Sequence, residues 1–266
     1  MGLESSEFPT FLDVARPSKS AVPSTISETD LRSGSYLVAY QPIVDIQSQS
    51  IPFYEGLGRL VLPDGRVVPA GAFVEKIRNT SLGRFVDLAI LQRWRLDLTE
   101  NPTLRISVNV PVNSIAHRAW YDAFEAAVAS VPRLDGRLVV EIDEQSTLVM
   151  PDLVADFMKE FQARGVRFAL DNFGKEHSSL RNIANFHFDL LKIDEYFIRD
   201  IHQNADKAVL MRVIVNMSQE LDVICVAEKV ETGDEARALK ALGVRLMQGM
   251  LIGPPVYASV IRERHI

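Results

Sequence analysis

Six polar residues end short apolar runs in this chain. Glu55 lies inside Phe53-Tyr54-Glu55-Gly56-Leu57, Asn109 ends Arg105-Ile106-Ser107-Val108, Glu141 follows Leu138-Val139-Val140, and Asp171 follows Phe168-Ala169-Leu170. Further on, Lys192 follows Asp189-Leu190-Leu191, and Glu228 follows Ile224-Cys225-Val226-Ala227. Taken singly, a carboxylate after a strand is more often a helix cap or a surface charge, and a lysine there usually snorkels to water. Together they suggest a site. Carboxylates that face one small volume repel unless they are protonated or bridged by cations. Oxygen ligands from Asp, Glu and Asn suit Mg2+ or Mn2+. A lysine at a barrel strand end can also be a Schiff-base nucleophile, as in an aldolase, but so many acids would hold it protonated.

The elements that must position these groups follow from the apolar pattern. Strands are expected over Tyr36 to Val44, Phe53 to Leu60, Leu104 to Val108, Arg137 to Ile142, Val166 to Leu170, Leu190 to Ile193, Val223 to Ala227 and Arg245 to Met247. Apolar residues three or four apart predict helices over Leu82 to Leu98, Trp120 to Ala129, Pro151 to Arg164, Ala205 to Leu221 and Asp234 to Leu242. Pro151 suits a first helical turn, and Gly165 and Gly243 suit the left-handed residue that ends a helix. Eight strands with intervening helices give an α/β fold, a modified TIM-like (β/α)8 barrel whose active site lies at the C-terminal strand ends. The turn around Gln47 to Ser50 is too short for a crossover helix, so one of the first two strands is expected to run antiparallel. Residues 1–35, with Pro9, Pro17, Pro23 and many Ser and Thr, read as a flexible arm or linker, and residues 36–266 as one barrel domain.

Bulk properties narrow the chemistry. With 266 residues and 47% hydrophobic content the chain can bury one large core. A formal net charge of −6 argues against a nucleic-acid polymer as partner, because phosphate backbones are usually met by a basic face. Cys225 is the single cysteine and sits in an apolar run, which reads as a buried thiol in a reducing cytoplasm. No apolar stretch approaches the roughly 18 residues of a membrane span, and Met1 to Ser6 lacks the basic-then-apolar order of a signal peptide. His117, His177, His187 and His202 show no zinc spacing. Gly58, Gly65 and Gly71 form no phosphate-cradling loop. Trp94, Trp120 and Phe173 read as packing residues.

Between about Tyr40 and Pro255 the motifs resemble those of the EAL domain family, which hydrolyses or binds the bacterial messenger cyclic di-GMP. They are Tyr40-Gln41-Pro42-Ile43-Val44-Asp45, Glu55-Gly56-Leu57 with Arg59, Ser107-Val108-Asn109-Val110, and Glu141-Ile142-Asp143-Glu144. Later come Asp171-Asn172-Phe173-Gly174 with Ser178-Ser179-Leu180, Leu191-Lys192-Ile193-Asp194, Ala227-Glu228-Lys229-Val230-Glu231-Thr232, and Gln248-Gly249. The resemblance implies that Glu55, Asn109, Glu141 and Asp171 hold a first metal, and that Asp171 with position 172 holds a second. It implies that Lys192 and Glu228 position or activate the attacking water, and that Gln41, Arg59 and Gln248 contact substrate. Glu144 would steady the loop after Asp171, and Glu231 would be a supporting acid. The implied reaction opens cyclic di-GMP to linear pGpG by two-metal-assisted water attack with Mg2+ or Mn2+. A homodimer and a regulatory protein partner are further implied.

Several positions depart from the family pattern. Asn172 stands for the second aspartate of the acidic pair, Lys229 for a glycine beside Glu228, and Lys175-Glu176-His177 for a glycine-containing stretch. Gly56 stands for alanine and Asp143 for threonine. These departures leave a second expectation open: a catalytically weak or inactive domain that serves as a cyclic di-GMP receptor or protein-interaction module.

Overall fold

In a strand, successive side chains point to opposite faces, so residues two apart share a face. The computed structural model describes residues 26–175 and 186–264. Its strands are β1 (Ser35–Asp45), β2 (Ser50–Val61), β3 (Val67–Pro69), β4 (Ile106–Asn109), β5 (Leu138–Asp143), β6 (Arg167–Phe173), β7 (Leu190–Ile193), β8 (Ile224–Ala227), β9 (Leu246–Met247) and β10 (Val256–Tyr257). Strands β1, β2 and β4 to β9 close a barrel, because β1 pairs with both β2 and β9. Strand β1 is antiparallel to both neighbours, and every other step around the barrel is parallel. The fold is therefore the expected modified (β/α)8 barrel. Residues 46–49 between β1 and β2 suffice for a turn and not for a crossover.

The predicted helices are present at Ser81–Glu100, Arg118–Ser130, Pro151–Gln162, Ala205–Glu220 and Gly233–Ala241. Pro151 starts its helix, and Gly165 and Gly243 have φ of +83° and +89°. Thr232 caps Gly233–Ala241 in a reciprocal capping box with Glu235. Among the described residues no helix is long and apolar enough to cross a membrane.

Folded structure begins ahead of the expected Tyr36. Ser27 and Asp30 form a capping box for the helix Glu28–Ser33, whose Leu31 is buried with Leu60, Val68, Phe73 and Val86. Strands β3 and β10 were also not expected; they add to the outer lengths of β2 and β1. Residues 1–25 of the expected arm lie outside the described residues, as do Glu176, His177, Ser178, Ser179 and Leu180.

A buried apolar layer of Ile43, Phe53, Val139, Ala169, Leu190, Val226 and Leu246 fills the barrel interior. Two residues along each strand from this layer stand Gln41, Glu55, Glu141, Asp171, Lys192, Glu228 and Gln248. Alternation carries each of them to the inward face one layer higher. Outside the barrel, Trp120 stacks on Phe124, which meets Phe157 and Phe161 beneath the helices. Trp94, Trp120 and Phe173 are all buried packing residues.

Candidate functional site

Lys192 stands at the centre of the polar layer with its ammonium wholly enclosed. Its Nζ lies 2.6 Å from Glu228 Oε1, 2.8 Å from Glu141 Oε2, 3.4 Å from Glu55 Oε2 and 3.5 Å from Asp171 Oδ1. Four strands thus bring four carboxylates to one cation. Burial alone would push the Lys192 proton off, but Glu141, Glu228, Glu55 and Asp171 outweigh it and hold its pKa well above the ordinary value. A permanently protonated amine is a poor Schiff-base nucleophile, which argues against the aldolase alternative.

The same enclosure acts oppositely on the acids. Burial raises the Glu141 and Asp171 carboxyls above their usual range, with the Lys192 charge pulling against it. Burial likewise lifts Glu228 to about 8 despite Lys192.

Asn109 joins two of these acids, its Nδ2 donating to Glu55 Oε1 at 3.1 Å and Glu141 Oε2 at 3.0 Å. Gln248 Nε2 donates to Glu55 Oε2 at 2.5 Å and to Gln41 Oε1 at 3.2 Å. A close backbone approach aims Gln248: the Val230 N–H donates to its carbonyl at 2.9 Å, and a Cβ on Gly249 would overlap the Val230 backbone. Gln41 Nε2 donates in turn to the Gly253 carbonyl at 3.1 Å.

The remaining residues singled out in the sequence lie at varying distances from this centre. Asn172 Nδ2 donates to Asp171 Oδ2 at 2.7 Å and to Asp143 Oδ2 at 3.2 Å. Glu144 is buried and accepts the Gly174 N–H at 3.1 Å, holding the chain just after Asp171. Arg59 lies further along β2, donating to the Leu57 and Gly58 carbonyls, and its charge and that of Glu55 attract. Glu231 is exposed and pairs with Arg199 at 2.5 Å, away from the acidic centre. Lys229 also turns outward, with its Nζ 3.1 Å from Glu195 and its side chain 54% exposed. Its backbone φ of +51° is the left-handed conformation that a glycine adopts readily.

Asp143, expected only as a departure from the family pattern, stands beside the site and lines its cavity. Its signal was the alternation of Glu141 and Asp143 on β5, which places both on one face. Asp143 also lies in register with Asp171 on β6.

The centre opens into a cavity of about 500 Å³ lined in part by Asn109, Glu141, Asp143, Asp171 and Asn172. Glu141 Oε1 is buried there without a hydrogen-bond partner, and Asp171 Oδ1 has only the Lys192 ammonium, at 3.5 Å. Such oxygens are costly to bury unless something positive meets them. In the conformation described, no three Asp, Glu, His or Cys among the described residues are set at ligand spacing around a common point. The acids converge instead on the Lys192 ammonium, and Glu141 and Asp171 also line the cavity with hard oxygen donors. This donor set fits a small divalent cation.

A family model described as "EAL domain" matches residues 25–255. The cyclic di-GMP phosphodiesterase PdeR of Escherichia coli (strain K12) is 27% identical over 235 residues, covering 86% of this chain and 35% of PdeR. The chain thus spans about a third of that relative's length. A solved structure described as "PaMucR Phosphodiesterase, c-di-GMP complex" superposes with a TM-score of 0.76 at 27% identity, covering 88% of this chain and 96% of that one. Klebsiella pneumoniae BlrP1, solved as a manganese and cyclic di-GMP complex, gives a TM-score of 0.72 at 26% identity over 89% of this chain and 60% of that one.

Proposed function

The chain belongs to the EAL domain family, and from that premise we propose that it binds cyclic di-GMP at the barrel mouth and hydrolyses one phosphodiester to give linear pGpG. The observation that carries this reading is the set of four carboxylates around Lys192, two of which, Glu141 and Asp171, line the cavity, with the buried Glu141 Oε1 left without a hydrogen-bond partner.

Glu55, Asn109, Glu141 and Asp171 would hold Mg2+ or Mn2+. When bound, the cation polarises phosphoryl oxygens and lowers the pKa of a water. Glu228 is the proton acceptor, fixed 2.6 Å from Lys192, whose charge orients the water and offsets negative charge as it develops. Gln248 and Gln41 position Glu55, and Arg59 contacts a phosphate. Glu144 keeps Asp171 and the following turn in place. A cytoplasmic setting belongs to the same proposal, in keeping with the buried free thiol of Cys225.

Incubation of the protein with cyclic di-GMP and Mn2+ or Mg2+, followed by chromatography, tests the reading. Linear pGpG should accumulate with the native chain and vanish with Glu55→Ala. Absence of product and of calorimetric binding in the native chain would reject it.

The Asn172 amide supports a second reading, a receptor with weak hydrolysis. Its donation to Asp171 occupies an acceptor position that a cation could otherwise use. Binding of cyclic di-GMP without turnover would favour that alternative.

Pairing with a second copy is also proposed, through the helix Ala205–Glu220. Val209, Leu210 and Val213 are exposed on adjoining turns of that helix. Asp206 and Arg212 flank them, with opposite charges that meet crosswise when two such helices pack antiparallel. A regulatory protein is the alternative occupant.

A further inference from the structure

Two of the departures from the family pattern are neighbours in space. Position 172 has lost a carboxylate, and position 143 has gained one. Asp143 is in register with Asp171 across β5 and β6, and Asn172 lies between them in the left-handed region, at φ +57°. Its Nδ2 donates to both carboxylates, at 3.2 Å and 2.7 Å. All three residues line the cavity that holds Glu141.

Asp143 has one structural task, and it uses one oxygen. Oδ1 accepts the Gln145 N–H at 3.0 Å and caps the helix Glu144–Val149, while Oδ2 faces Asn172. Asp171 turns its Oδ2 to the same amide, its buried Oδ1 lying 3.5 Å from the Lys192 ammonium, and the Asp143 charge acts on it. Rotating the Asn172 amide about its terminal torsion exchanges Nδ2 for Oδ1, so the position that now donates to two acids can offer an oxygen instead. Two carboxylates and an amide oxygen make a hard donor set of charge about −2, suited to Mg2+ or Mn2+.

We infer that Asp143 is the carboxylate of a second divalent-cation site, supplying the charge that Asn172 lacks, with Asp171 and the Asn172 amide oxygen as its companions. The inference rests on the metal-dependent reading above. It makes the two departures a relocation of one charge across adjacent strands, so that the loss at position 172 does not by itself disable a second cation.

Calorimetric titration with Mn2+ alone, joined to electron paramagnetic resonance of the loaded protein, tests this. Asp143→Asn keeps a competent helix cap while removing the charge, and unchanged metal-free unfolding checks that the cap survives. The native chain should bind two Mn2+ with a spin-coupled signal. Asp143→Asn should keep the first and lose the second, or weaken it by about tenfold or more. The double variant Asp143→Thr, Asn172→Asp should recover both. Two Mn2+ bound by Asp143→Asn at native affinity would overturn the inference and leave Asp143 a cap only. One Mn2+ bound by the native chain would overturn it while leaving the metal-dependent reading intact, and none bound would overturn both.

Discussion

Lys192 has the most consequential environment of any single residue. Removing its charge leaves four carboxylates facing one another in a buried volume, and breaking a buried ion pair by deleting one partner typically costs about 3–5 kcal/mol. Lys192→Met should therefore abolish phosphodiester cleavage and, with a chelator present, lower unfolding stability by about that amount in denaturant titration. The acids give a pH signature of opposite sense to ordinary salt-bridged carboxylates. With no cation bound, the folded state retains the Glu228 proton up to about pH 8, whereas the unfolded chain releases it near 4.5. Folding thus takes up a proton in that interval, so chelated protein should lose stability as pH rises from 4.5 to about 8. Thermal melts across that range read the slope directly, and a flat profile would mean that Glu228 is ionised in the folded chain. Lys229 offers a separate check. Its exposed ion pair with Glu195 is worth little, while φ of +51° disfavours a side chain by about 1 kcal/mol. Lys229→Gly should stabilise the fold by up to that amount and leave turnover unchanged.

Among the elements, the strands and long helices were legible in advance because each obeys a period. Phe53 and Glu55, or Leu190 and Lys192, differ by two positions and so share a face, and this repeated step builds both the apolar and the polar layer. The helix Glu28–Ser33 and strands β3 and β10 were not legible. Each is too short to show a period and owes its place to packing or edge pairing. The meeting of Asn172 with Asp143 was hidden for another reason, since it depends on the register between β5 and β6 and on a left-handed backbone at 172. The outward turn of Lys229 likewise follows from a dihedral angle that residue type alone does not specify. Caps remain separable from the chemistry. Thr232→Ala removes the side-chain cap of Gly233–Ala241, and should cost about 1 kcal/mol in denaturant titration while leaving Mn2+ affinity as it was.

Across the whole molecule, assembly and loading are the properties left to measure. If two copies meet along Ala205–Glu220, Val213→Glu should shift the mass seen by light scattering toward the monomer without changing the circular dichroism spectrum. The enclosed ammonium has a consequence for the order of events in the protein's life. A barrel whose acids depended on imported ions for neutralisation would have to meet them while folding. Here Lys192 supplies one counter-charge and burial favours retained protons on the acids, so the barrel can close first and be loaded afterwards. Loading then becomes a late and reversible step, and a finished pool of protein would follow rises and falls in free divalent cation without being made anew.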